Sequence, residues 1–402
     1  MYVTKNKEVR SHWLLKPEVA YLNHGSFGAC PKIILDKQME YRNMLEEEPV
    51  QFMVCALPEL LWRTQRILGK FVCAAAEDIV LVQNATEGVN AVLQSIEFQL
   101  GDEILFFDQI YGACKNTIEY VAKRHGAICR SIPLPIPIVD PNDVINAMCN
   151  AWNENVKLVL LDHICSPSGW ILPIEDIVTF FEDRGTMVLV DGAHALGQIP
   201  LDLHSLGASF YVANAHKWLC APKGSAFLYV REDLQSKVKP TCISHGATWL
   251  QENYPKRYSR FQMEFSWTGT SDPTAHLCLP DCIDFMKKLH PDGIIGIQTE
   301  NTNRARVYRK YLVDELGGTV LAPDDFVGHM GSFLLEKEKV IIPKGIQVPI
   351  GERLQPLWKY LYDEYKIEVV VFEMQEHFVI RYSVQAYVSD EDIERLCRAL
   401  NS

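Results

Sequence analysis

The chain has 402 residues, 48% of them hydrophobic and 22% charged. That is a length for two or three domains and the composition of an ordinary globular protein, so disordered, fibrous and membrane-spanning classes are set aside. The net charge of −12 supplies no global positive field, so a nucleic-acid partner is not expected and any phosphate must be held locally.

Within the first thirty residues the only apolar pieces are 13–15 and 19–22, too short for a secretory segment. No run approaches the roughly 18 apolar residues of a spanning helix, so a cytoplasmic location and no membrane partner are expected. Further along, apolar runs at 79–82, 103–107, 128–134, 156–161, 186–190, 210–212 and 226–230 alternate with helical patterns at 87–98, 115–125, 142–153 and 174–181. Several runs show no polar alternation, which predicts strands buried on both faces of a mostly parallel seven-stranded sheet, doubly wound with helices. After residue 230 a polar and aromatic stretch, 246–258, leads into Trp267-Thr268-Gly269-Thr270 and reads as a long functional connection. From 273 onward, helices at 275–289, 299–316 and 354–365 and strands near 331–336 and 378–382 predict a smaller α+β domain. The twelve cysteines form no C-x-x-C pair, which argues against a disulfide scaffold and against a metal site.

Lys217, in Asn214-Ala215-His216-Lys217-Trp218, follows an apolar strand and so lies near the sheet edge where open α/β sheets bind ligands. Desolvated there, a lysine can form an imine with an aldehyde; a solvated strand-end lysine is the plain alternative. Asp191 ends another apolar strand, where a carboxylate needs a partner such as a protonated ring nitrogen. Three residues on, His194 can reach a phenolic oxygen if the turn curls over a cofactor, although Asp-Gly-Ala-His is also an ordinary capped turn. In Gln83-Asn84-Ala85-Thr86-Glu87-Gly88 a strand gives way to a helix whose free N–H groups suit a phosphate. Asn84 or Thr86 can cap that helix, with Glu87 completing a capping box from Asn84. Tyr111 follows a strand onto the same edge, where its ring can stack on a planar group or join the core. Arg381 stands inside an apolar strand and needs a carboxylate, either from the protein or from a substrate.

As an ordered set, Ala-Thr-Glu-Gly, Tyr-Gly-Ala, Val-Asp-Gly-Ala-His, Ala-His-Lys-Trp, Trp-Thr-Gly-Thr and Ile-Arg-Tyr-Ser resemble the class V aminotransferase family. The opening Tyr21-Leu22-Asn23-His24-Gly25-Ser26-Phe27-Gly28 resembles its isopenicillin N epimerase-like branch, with cysteine desulfhydrases and hercynylcysteine sulfoxide lyases. The resemblance implies a pyridoxal 5'-phosphate (PLP)-dependent transferase of fold type I. It divides the chain into an N-terminal arm, 1–20, packed on the small domain, a large PLP-binding domain, 21–270, and a small domain, 271–402. It places the Schiff-base lysine at Lys217, the ring-nitrogen acid at Asp191, the phenolic-oxygen contact at His194 and the stacking residue at Tyr111. Phosphate contacts fall on Ala85, Thr86, Asn214 and His216, with Thr270 reaching across from a second subunit of a homodimer. Ser166 flanks the cofactor, while Asn23, His24 and Arg381 face a small amino-acid substrate. The activity implied is C–S bond cleavage in cysteine or a cysteine conjugate. A racemase or epimerase, an aminotransferase or a catalytically silent scaffold are the alternatives. Residues 321–351 contain no cysteine, which disfavours persulfide relay through a mobile loop.

Overall fold

The computed structural model describes residues 8–401 apart from 251, 253–256, 344, 347, 349–354 and 375. Parts of the 246–258 and 321–351 stretches, and residues 1–7 of the arm, therefore lie outside the described residues. After a short β1 (Ala20–Tyr21) come β2 (Ile79–Val82), β3 (Glu103–Phe107), β4 (Ile128–Ile132), β5 (Val156–Asp162), β6 (Met187–Asp191), β7 (Phe210–Asn214) and β8 (Ala226–Val230). The last seven form one sheet in the order β2-β8-β7-β6-β5-β3-β4. Only β8 runs against its neighbours, β2 and β7. Three strands extend beyond the apolar runs to Asp162, Asp191 and Asn214, so these polar residues belong to the strand ends.

Two cores explain why the strands carry no polar alternation. Leu105, Val159, Leu161, Val188, Val190 and Tyr211 enter one core, while Ile104, Leu158, Leu160, Leu189, Phe210 and Val212 enter the other. Successive residues point to opposite faces, and both faces are dry. Helices Ala85–Ser95 and Gly112–His125 supply Val89, Val92, Ile118 and Val121 to the second core. Helices Pro141–Cys149 and Ile174–Glu182 cover the first.

The C-terminal part carries a three-stranded antiparallel sheet built from β9 (Met330–Glu336), β11 (Val370–Met374) and β12 (His377–Ser383), with β10 (Ile367–Glu368) pairing in parallel with β1. Three features differ from the expected pattern. The helix at 275–289 divides into Thr274–Leu277 and Leu279–Lys288, because Pro280 falls in a first turn and cannot donate within a continuous helix. The long helix starts at Gly293, not 299, since Gly296 packs against the His290 ring where a Cβ has no room. Helices Lys32–Glu47, Leu57–Phe71 and Asp390–Leu400 add to the expected set. Beyond residue 7 the arm lies on C-terminal residues, with Arg395 donating to the Glu18 carbonyl at 2.8 Å and Trp13 edge-on to Tyr387. No helix among the described residues is long and apolar enough to cross a membrane.

Candidate active site

The register of the sheet builds the floor of the site. Leu158, Leu160 and Asp162 share one face of β5, Leu189 and Asp191 that face of β6, and Phe210, Val212 and Asn214 that face of β7. Asp162 lies directly beside Asp191 in the ladder. Three polar side chains thus stand in a row at the carboxyl edge of parallel strands, with Asn214 under the first turn of helix Ala85–Ser95 and Asp191 against helix Gly112–His125. Asp191 is buried and accepts from the Ala193 N–H at 2.9 Å and the Cys114 thiol at 3.2 Å. Burial raises its carboxyl from the usual range, while those two donors and the Lys217 cation pull it back.

Lys217 sits in the turn after β7, and its Nζ lies 3.1 Å from His194 Nε2. Burial, reinforced by the Arg381 cation, lowers its amine to about 8, against the opposing pull of Asp191 and Asp162. The Trp218 indole N–H, 3.4 Å from His194 Nδ1, can only donate, so Nδ1 accepts and the neutral ring's proton lies on Nε2, which donates to Ser166 Oγ, or to Lys217 Nζ when that amine is neutral. Burial and the Lys217 cation hold His194 well below the usual imidazole range, hence neutral. Its Nε2 also lies 3.3 Å from Ser166 Oγ. His194 is therefore a neutral group placed between the lysine amine and Ser166.

At the helix start, Asn84 is the cap, accepting from the Glu87 N–H at 2.9 Å, and Thr86 is not. The capping box is displaced by one residue, because the Glu87 carboxylate accepts from the Gln83 N–H at 2.7 Å. Asn214 Oδ1 accepts the Ala85 N–H at 2.8 Å, so that donor is already engaged. Among the described residues no hydrogen bond engages the Thr86 amide or hydroxyl, which leaves them for an anion at the positive end of the helix. His216 donates from Nδ1 to the Ser225 carbonyl at 2.9 Å, and burial lowers its ring to about 4. Its Nε2 is thus an acceptor that needs a proton before it can hold a phosphate.

Gly28 supports the same turn. Its φ of +68° is left-handed, a Cβ there would run into the His216 carbonyl oxygen, and Lys223 Nζ donates to its own carbonyl at 2.9 Å. Gly28→Ala is expected to cost at least about 1–2 kcal/mol from the backbone conformation alone. It should also displace the turn bearing Lys217. Thermal denaturation and bound-cofactor content after purification measure the two effects together, and a variant unchanged in both refutes this account.

Arg381 is buried on β12, donates to the Ser166 carbonyl, and places Nη2 3.4 Å from Ser26 Oγ. Its Nε has no partner and no acid pairs with it among the described residues. Burial lowers the guanidinium to about 10. Of the two partners open to Arg381 from sequence, a protein carboxylate is thus excluded among the described residues. Asn23 accepts from Ser26 Oγ at 2.6 Å and donates to Glu368 at 3.1 Å, which brings it to the same rim. His24 does not line the rim. It is wholly buried, with Nδ1 2.8 Å from the Tyr387 hydroxyl and Nε2 3.0 Å from the Lys217 carbonyl, so it braces the lysine from behind. Burial drives its ring down to about 3, which fits that neutral bridging role. Tyr111 is the N-cap residue of helix Gly112–His125 and is 45% exposed at the sheet edge. Thr270 is exposed, and its loop neighbours Thr268 and Gly269 line a cleft with Gln83 and Glu87. No hydrogen bond joins Thr270 to the Lys217 group among the described residues.

Asp162 and Cys114 are site residues that sequence reading omits. Asp162 carries the same signal as Asp191, an acid closing an apolar run. Cys114 carries none, since a thiol inside an amphipathic helix looks like any core residue.

A lowered amine, a buried acid, an unengaged helix N-terminus and an exposed aromatic ring on one sheet edge define a fold type I PLP enzyme site, and the residues present fit that cofactor. Residues 56–396 match the Aminotransferase class-V family, and the chain belongs to it. It is 31% identical to an isopenicillin N epimerase of Streptomyces clavuligerus over 100% of this chain and 99% of that protein. A probable chloroplastic L-cysteine desulfhydrase of Arabidopsis thaliana is 28% identical over 96% and 83%. Among solved structures, the C-DES mutant K223A with glycine covalently linked to its PLP cofactor superposes with a TM-score of 0.82 at 21% identity. It covers 98% of this chain and 99% of that one. A complex of the cystine C-S lyase C-DES with cysteine persulfide gives 0.80 at 21% identity, over 96% and 98%.

Proposed function

We propose that this chain is a PLP-dependent C–S lyase that cleaves cysteine, a cysteine conjugate or its sulfoxide by β-elimination. One observation carries the amino-acid part of this reading: Arg381 is a buried cation without an acid partner among the described residues, joined to the Lys217 amine by three hydrogen bonds through Ser166 and His194. A substrate α-carboxylate supplies the missing charge. Relatives named as cysteine desulfhydrases and a structural neighbour named as a cystine C-S lyase support the C–S part.

Lys217, Asp191, Thr86, Asn214 and His216 would hold PLP, which when bound would supply covalent attachment for the substrate amine and a sink for the electron pair released at Cα. The chain's own groups do the rest. Arg381 fixes the carboxylate and so the orientation of the Cα–H bond. Lys217, whose amine burial holds near neutrality, takes the Cα proton. Tyr111 offers its phenol to the departing sulfur, which leaves as a thiol or sulfenate. The three-carbon remainder takes up water to give pyruvate and ammonia, so cysteine plus water becomes pyruvate, ammonia and hydrogen sulfide.

In this reading residues 21–270 and 271–402 are the large and small domains and the working unit is a homodimer, with Thr270 completing the neighbouring site. The twelve free cysteines suit a reducing compartment, the cytoplasm. Purified protein given cysteine, S-substituted cysteines and their sulfoxides should release pyruvate and ammonia in equal amounts. Deuterium uptake at Cα with loss of stereochemistry and no pyruvate would make it an epimerase instead. Keto-acid-dependent amino transfer would make it an aminotransferase.

A further inference from the structure

Asp162 and Asp191 end neighbouring parallel strands, in register, on one face and both buried. Two carboxylates so placed cannot both ionise cheaply in a water-poor site unless cations balance them. Among the described residues the only cation acting on both is Lys217; Arg381 acts on Lys217 and on neither acid. Once Lys217 holds the cofactor, its ammonium no longer balances the pair, and a single positive charge on the cofactor ring offsets one carboxylate, not two.

Their surroundings decide which acid keeps the proton. Asp191 has two donors, the Ala193 N–H and the Cys114 thiol. That thiol stays protonated, because burial and the two acids raise it well above the ordinary range. Among the described residues the one donor to Asp162 is the main-chain N–H of Tyr111, while burial and Asp191 push its carboxyl well above the ordinary range. Among the described residues the other titratable neighbours are Cys165, raised by burial and by Asp162, and Tyr211, raised by burial and by Asp191, so neither supplies a balancing charge.

We infer that Asp162 is a second acid of the site, retained in its neutral, proton-bearing form beside the Asp191 carboxylate, and that it positions Tyr111 through the Tyr111 main chain. A neutral Asp162 keeps a hydroxyl to donate toward Asp191 and a carbonyl oxygen to accept from Tyr111. Asp191 is left as the sole negative charge under the ring nitrogen. Asp162 is thus a positioning residue, acting through Asp191 and Tyr111.

This inference rests on the proposal that the site holds PLP, and its test separates the two. The probe is the cofactor-loaded full-length protein, as wild type, Asp162→Asn, Asp162→Ala and Asp162→Ser. A wild-type minus Asp162→Asn infrared difference spectrum at neutral pH should contain the carbonyl stretch of a protonated carboxyl. Asp162→Asn, neutral and of the same shape, should keep cofactor affinity within about threefold and the pH midpoint of cofactor absorbance close to that of wild type. Asp162→Ala removes the acceptor for Tyr111 and Asp162→Ser draws it back by one bond, out of reach of the Tyr111 N–H, and both should reduce kcat about tenfold or more. Should one of them fail to fold, the other and the asparagine comparison still decide. A tenfold loss of cofactor affinity in Asp162→Asn, or a missing carboxyl band, means that Asp162 is charged and overturns the inference. So does wild-type behaviour in Asp162→Ala or Asp162→Ser. A wild-type protein that takes up no PLP sinks the cofactor proposal instead.

Discussion

Replacing Lys217 by alanine is expected to lower turnover by at least about 10³-fold and to remove the visible absorbance of the cofactor-loaded protein. The loss lies within or above the roughly 10²–10⁴-fold range of a general base, because the same amine is also the covalent anchor. The pH dependence of cofactor uptake is a sharper test, since only the neutral amine attacks an aldehyde. With its amine lowered to about 8, Lys217 is about one-tenth neutral at pH 7, whereas an ordinary lysine is below about one in a thousand. The sign follows from burial, which penalises the ammonium and so favours the reactive form. Uptake of PLP by cofactor-free protein should rise about tenfold per pH unit up to about 8 and level off above it. A rate still climbing at pH 10 would identify an ordinary solvated lysine and refute the assignment.

Legibility in the sequence divided along a physical line. The sheet was readable because each strand must bury both faces, which writes an unbroken apolar run into the chain. Where packing depends on a distant partner, the pattern was mute: Leu57–Phe71 covers the first core and β11 pairs only with β12. Asp191 stood out as an acid ending an apolar strand, and Asp162 obeys the same rule; an expected strand end at 161 hid it. His24 shows the opposite limit. A motif residue next to Asn23 in sequence can point into the protein, and only the fold reveals that its ring spans Tyr387 and the Lys217 carbonyl. The Arg381 question could not be closed from sequence either, since any of the 51 acidic residues was a possible partner. Three dimensions leave it none among the described residues.

Arg381 therefore makes the second large prediction, one in which stability and activity move in opposite directions. A buried guanidinium without an acid costs the substrate-free protein desolvation that no ion pair returns, and this is why its own ionisation is pulled down to about 10. Arg381→Met removes the charge and keeps most of the volume, so the substrate-free protein should melt at a higher temperature. Replacing buried charge by packed apolar groups can stabilise by about 1–4 kcal/mol. The same change should lower kcat/KM by about 30- to several-thousand-fold, the equivalent of the roughly 2–5 kcal/mol lost when one partner of a buried, hydrogen-bonded charge pair is removed. Arg381→Lys keeps the charge but not the planar fork, and should recover only part of the loss. A non-reacting amino acid should raise the melting temperature of the wild type and leave that of Arg381→Met unchanged, because a ligand stabilises only the form that binds it. If Arg381→Met melts lower than the wild type and still responds to the amino acid, Arg381 is a structural residue and the carboxylate is bound elsewhere.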